Sequence, residues 1–251
     1  MDSDKPKKPR RGIYLLPNLF TTGCLFSGFY AILSAMSGHF EQAAIAVFVA
    51  MVLDGLDGRV ARLTNTASEF GVEYDSLADM VSFGVAPALI MYLWAFQDLG
   101  KLGWAAAFTY VACTALRLAR FNTQAEVADK KFFQGLPSPS AAAVVAGLMW
   151  LSISYGLTGE DVKVIAVLVT FAAGIVMVSN FRYYSFKEVD FKGKVPFVTM
   201  LLLVLVFVFI TLDPPQVLFG GFFIYMLSGL VLTLWGIRQK RLERHQEAEN
   251  E

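Results

Sequence analysis

Apolar residues run along most of this chain in stretches of about twenty, each closed by a short polar or Gly/Pro-containing break. A hydrocarbon core about 30 Å thick takes about 20 helical residues to cross. The runs match that length rather than the two-residue alternation of half-buried strands. They predict helices at about 13–37, 41–63, 74–97, 102–121, 139–157, 162–181, 195–212 and 215–237. Gly38, Gly100, Pro137, Gly156 and the Pro214-Pro215 pair mark breaks between them. Backbone polar groups in lipid must be satisfied inside each segment, so the expected fold is all-α: a polytopic membrane helical bundle of about eight transmembrane spans. Three parts follow: a basic N-terminus over 1–12, a membrane domain over 13–237, and a charged tail over 238–251 expected to continue the last helix into solvent. The run Ile13–Met36 follows a basic start as in a signal peptide. It is too long for an h-region and has no clear cleavage pattern, which predicts a retained first span.

Composition agrees with the pattern. Hydrophobic residues make up 56% and charged residues 17%, against about 45–50% and about 25% in soluble domains. Lys plus Arg equals Asp plus Glu at 21 each, so bulk charge gives no drive toward nucleic acid, and no nucleic-acid partner is expected. The placement of the charges says more than their sum. With the N-terminus inside, every Lys and Arg except Lys101 and Lys163 falls on an inner segment, while the outer segments hold Glu41, Asp98, Glu160, Asp161 and Asp213. This asymmetry predicts both termini in the cytoplasm of a cell whose inner membrane holds the chain. The outer loops, Ser37–His39, Gln97–Lys101, Tyr155–Lys163 and Leu212–Gln216, are short, so chemistry is expected on the cytoplasmic face. Cys24 and Cys113 lie far apart within apolar runs and read as small core residues.

Against this scarcity of charge, Asp54, Asp57, Asp75 and Asp79 stand out. A carboxylate deep in a membrane helix costs about 2.5–3.5 kcal/mol even on the lenient insertion scale, and such residues are functional by default. Asp54 and Asp57 are three apart and share a helix face, with Ala61 four further along the stripe; Asp75 and Asp79 are four apart on the next helix. Two antiparallel helices with a short joint can bring all four together. Too few cations lie on these helices to pair them as a structural ion network. Hard divalent cations would relieve the repulsion, and all-oxygen donors favour Mg²⁺, Mn²⁺ or Ca²⁺ over zinc. His39 and His245 are isolated and peripheral. If the second helix starts near Glu41 at the outer boundary, Asp54 lies about 20 Å in and about 10 Å short of the cytoplasmic edge. That depth suits a substrate with a polar head and tails in the bilayer. Gly58 and Gly71 leave room for a ligand, and Arg62 could meet an anion. A cation pathway through the membrane is the alternative class of function; the clustering of the carboxylates near one face argues against it.

These residues fill the pattern D-x2-D-G-x2-A-R-x8-G-x3-D-x3-D at Asp54, Asp57, Gly58, Ala61, Arg62, Gly71, Asp75 and Asp79. In this the chain resembles the CDP-alcohol phosphatidyltransferase family. Pro17–Gly28, Val81–Pro87, Ala115–Asn122 and Phe133–Ser140 are similar to its CDP-diacylglycerol–serine branch. The resemblance implies two divalent ions, Mg²⁺ or Mn²⁺, on Asp54, Asp57, Asp75 and Asp79, with Asp79 also the general base. It implies a CDP site lined by Asp57, Gly58, Ala61, Arg62 and Gly71. CDP-diacylglycerol would be the donor, L-serine the acceptor and CMP the product, in a homodimer surrounded by membrane lipids. Glycerol 3-phosphate or an inositol phosphate as acceptor, and an archaeal-type ether lipid as donor, stay open at this point. A serine carboxylate needs a cation. Arg117, Arg120 and Lys131 near the cytoplasmic end of the fourth helix are the candidates for it or for the lipid phosphate, though positive-inside topology alone would also place them there. Asn122 and Ser138 are polar neighbours of this group.

Overall fold

A computed structural model describes residues 15–64, 66, 68–124, 132–184 and 197–249. Lys131 and the basic segment 1–12 lie outside the described residues. The helices are α1 (Leu15–Met36), α2 (Phe40–Leu63), α3 (Glu69–Leu99), α4 (Lys101–Gln124), α5 (Ser138–Ser154), α6 (Gly159–Val178), α7 (Phe197–Leu212) and α8 (Pro214–Glu249). The expected runs are therefore helical, and the charged tail continues the last helix as anticipated. Five described helices are long and apolar enough to cross a membrane: Leu16–Met36, Glu69–Leu99, Lys101–Thr123, Gly159–Val178 and Pro214–Trp235. The chain is all-α and membrane-like. Of the other three helices, α2 carries Asp54, Asp57, Arg59 and Arg62, while α5 and α7 have only 17 and 16 residues.

Boundaries differ from the hydropathy reading where polar side chains or glycines decide them. Helix α3 starts at Glu69 rather than near 74, because Ser68 caps it: its Oγ accepts from Gly71 N–H at 3.1 Å. Gly71, Asp75 and Asp79 thus ride on one rod. Helix α5 stops at Ser154, followed by Gly156 at φ +71. A small antiparallel ribbon, β1 (Phe132–Gln134) with β2 (Arg182–Tyr184), pairs Phe133 with Tyr183. Three-residue strands carry no readable alternation, so hydropathy gave no sign of it.

Small residues let the helices approach closely. Ala43, Ala44, Ala50, Ala141, Ala142 and Ala146 are fully buried, and α1 lies along α2 while α5 packs on α2, α6 and α8. At Gly28 a Cβ would sit 2.4 Å from Ser82 Oγ, which itself donates to Cys24 O at 3.0 Å, so α1 and α3 touch backbone to backbone. Rod α3 is not regular. It takes π turns at Met80–Val85 and Tyr92–Phe96. Pro87 has no N–H for the carbonyl of Phe83 four residues earlier, and the Tyr110 hydroxyl of α4 donates to that carbonyl at 3.0 Å. Almost every described side chain of α7 is apolar and exposed, as a lipid-facing helix requires.

Candidate active site

The acidic cluster forms where the last turns of α2 meet the first turns of α3. One carboxylate oxygen from each of Asp54, Asp57 and Asp75 lies within 4.8 Å of the others. Asp57 is buried, and its Oδ2 accepts from Thr21 Oγ1 at 2.7 Å, so α1 contributes the hydroxyl that orients it. Asp54 and Asp75 are half-buried. Three carboxylates this close repel strongly at low dielectric. An all-oxygen donor set of this kind fits a hard divalent cation.

Asp79 is not one of the converging three. It stands one turn beyond Asp75, at the entry to the first π turn, where single π turns are common at functional sites. Its charged neighbours are Asp54, whose carboxylate is within hydrogen-bond reach of it, Asp75 and Arg117. Ser138 Oγ donates to Asp79 Oδ2 across a long 3.5 Å, and the buried Oδ1 has no hydrogen-bond partner among the described residues.

The sequence-predicted nucleotide residues lie on the last two turns of α2 and the first turn of α3. Gly58 is exposed, and a Cβ there would meet nothing within 4 Å. Arg62 is exposed and Ala61 half-buried in the last turn of α2. A Cβ at Gly71 would come within 3.2 Å of Ser68 Oγ and 3.7 Å of Asn18 Oδ1, pressing on the cap that starts α3.

The two arginines part company. Arg117 is buried on α4; its Nη1 donates to Ser138 Oγ at 2.8 Å, its Nε has no partner among the described residues, and its guanidinium carbon lies 6.0 Å from the centre of the Phe121 ring. Arg120 is turned the other way. Its Nη1 donates to Asn180 Oδ1 at 3.2 Å and its Nη2 to the carbonyls of Met177, Val178 and Ser179 at 3.5, 2.9 and 3.3 Å. It closes the C-terminal turn of α6, which ends at Val178, where Ser179 turns extended, and not near 181. Asn122 exchanges hydrogen bonds with Ser76 at 3.0 and 3.2 Å, one residue after Asp75. Thr21 and Ser76 were not singled out from the sequence. A hydroxyl inside an apolar helix most often bonds its own backbone, and nothing local separates Thr21 from Thr22, which does so with Asn18 O at 2.7 Å.

Comparison with known proteins bears directly on this geometry. The family model of CDP-alcohol phosphatidyltransferase matches residues 14–178, which takes in α1 to α6 and the whole aspartate motif. A CDP-diacylglycerol–serine O-phosphatidyltransferase of Helicobacter pylori (strain ATCC 700392 / 26695) is 41% identical over 227 residues, covering 90% of this chain and 94% of the relative. Proteins of the same name from Bacillus subtilis (strain 168) and Saccharomyces cerevisiae (strain ATCC 204508 / S288c) are 34% and 39% identical over 173 and 161 residues. The first covers 69% of this chain and 92% of the relative, the second 54% and 56%. The match spans the aspartates that crowd the joint of α2 and α3, and the chain belongs to the CDP-alcohol phosphatidyltransferase family.

Proposed function

We propose that the chain transfers the phosphatidyl group of CDP-diacylglycerol to the hydroxyl of L-serine, giving phosphatidylserine and CMP. The observation that carries this reading is the convergence of Asp54, Asp57 and Asp75, with Asp79 one turn away, in a chain whose near-full-length relative bears that activity in its name.

Asp54, Asp57, Asp75 and Asp79 would hold two divalent cations, Mg²⁺ or Mn²⁺, which when bound would neutralise the pyrophosphate and the departing CMP. Thr21 keeps Asp57 in its orientation for this task. Gly58 and Gly71 leave the nucleotide room to approach backbone, Ala61 keeps the same wall low, and Arg62 donates to a phosphate oxygen. Asp79 accepts the proton of the serine hydroxyl. The serine oxygen forms its bond to the β-phosphorus as the phosphoanhydride bond breaks, and the electron pair leaves with CMP. Arg117 meets the serine carboxylate: its guanidinium is a charged neighbour of Asp79, and its buried Nε has no partner among the described residues. Arg120 and Lys131 are the further cations of this reading, for the carboxylate or the lipid phosphate.

The same reading has eight spans, both termini in the cytoplasm, the site on the cytoplasmic side of the inner membrane, and a homodimer. The support for the orientation is the crowding of Lys and Arg on inner segments. The deciding experiment offers purified protein CDP-diacylglycerol with serine, glycerol 3-phosphate or an inositol phosphate, with and without Mg²⁺ or Mn²⁺, and follows CMP release. Release that needs both serine and a divalent ion is expected. Preference for another acceptor overturns the substrate assignment, and full activity in excess chelator overturns the metal assignment.

A further inference from the structure

Ser138 opens α5 and is 0% exposed. Backbone contacts fix where it sits. Gly135 N–H donates to Phe181 O at 2.8 Å and Leu136 N–H to Val176 O at 3.2 Å, which ties the approach to α5 onto the end of α6. Gly135 has φ +77, and a Cβ there would collide with the Met177 carbonyl. Arg120 holds that same α6 terminus from the other side. Pro137 then sets the entry to the helix with φ −58 and ψ 138.

The hydroxyl so placed has two partners of opposite kind. Arg117 Nη1 donates to Oγ at 2.8 Å. A guanidinium only donates and a hydroxyl has one proton of its own, so that proton goes to an acceptor. The acceptor is Asp79 Oδ2 at 3.5 Å. Hydrogen bonds of this class are often long before substrate binds and tighten in the complex. A direct Arg117–Asp79 fork would engage both carboxylate oxygens. The interposed serine engages one, and Oδ1 has no partner among the described residues.

We propose that Ser138 is a positioning residue for the transfer reaction: braced by Arg117, it holds Asp79 by Oδ2 so that Oδ1 is the oxygen presented to the acceptor hydroxyl. The proposal rests on the reading of Asp79 as the base. Neither the eight-residue signature nor Asp79 itself contains this information, because Ser138 lies 59 residues further along the chain.

Ser138→Thr and Ser138→Val have nearly the same shape and share any packing cost in this closed site, but only Thr keeps a hydroxyl. Turnover in Ser138→Val is expected to fall about 10–100-fold below that in Ser138→Thr, the usual range for residues that orient a catalytic group from behind. KM for CDP-diacylglycerol and CDP affinity should be equal in the two. Should both Thr and Val prove unstable, Ser138→Ala, which fits without overpacking, is read against the unsubstituted protein and should lose turnover by about the same 10–100-fold. Equal turnover in Thr and Val, or wild-type turnover in Ala, overturns the proposal. So does a loss shared equally between kcat and CDP affinity, which would mark a packing role. Asp79→Asn separates the two readings. If it is inactive while the Ser138 hydroxyl proves dispensable, the base stands and the positioning role falls. If Asp79→Asn turns over normally, both fall.

Discussion

Thr21 reaches Asp57 from a neighbouring helix, and that single 2.7 Å hydrogen bond shows how the acidic cluster is kept in register. Both residues are buried, at 3% and 5% exposure, so water cannot replace the hydroxyl. Thr21→Val keeps the shape and removes the donor. It should cost about 1–3 kcal/mol of stability, as expected when a buried acceptor loses its partner. It should also weaken metal-supported CDP binding by about tenfold or more, measured by calorimetric titration with Mg²⁺ or Mn²⁺. Asp79→Asn tests a different property. The amide cannot accept the serine proton, so CMP release should vanish while CDP still binds. The four aspartates could be read from the sequence because charge is scarce around them. Thr21 could not, since its partner lies 36 residues away.

At the level of elements, the ends of helices carry the information that hydropathy lacks. Arg120 was expected as a substrate cation, and the fold gives its guanidinium to the last carbonyls of α6. Two outcomes of Arg120→Ala separate these roles. Loss of the cap predicts a lower melting temperature with little change in serine KM, by about 1–3 kcal/mol for the carbonyls left without a donor. A substrate role predicts the reverse. The α1–α3 contact at Gly28 makes a second test. Gly28→Val must displace Ser82, whose Oγ and Cα lie 2.4 and 2.6 Å from the would-be Cβ. The variant should pull α1 away from α3, the rod that carries Asp75 and Asp79, so both stability and CDP affinity should drop. The same glycine read only as part of a motif in the sequence; its reason is the neighbouring backbone.

For the whole molecule, the proposed function makes predictions about sidedness and about the coupling of ions to stability. Cys24 and Cys113 are buried, so new cysteines can report topology. Thr123→Cys, exposed at the end of α4, should react with a membrane-impermeant thiol reagent only from the cytoplasmic side, and Ser37→Cys, exposed after α1, only from the outside. The opposite pattern would reverse the proposed orientation. Chelation should stop CMP release and lower the melting temperature together, because an ion held at 100 times its Kd stabilises the folded state by about 2.7 kcal/mol. A melting temperature indifferent to chelator would leave the carboxylates without that role.

The sequence alone determined which stretches are helical, the membrane class and the acidic motif. Each of these depends on spacing within a few turns of one helix and on the transfer cost of single residues. The tertiary structure decided which oxygen meets which donor. Arg117 and Ser138 are 21 residues apart, and Ser138 and Asp79 are 59 apart. Their meeting depends on the small residues that let α4 and α5 close on α3, and on the ribbon and capped helix end that hold the entry to α5. Hydropathy is local, whereas the direction of a carboxylate is set by its neighbours in space. The family chemistry could therefore be read along the chain, while the support behind Asp79 emerged only once the helices were packed.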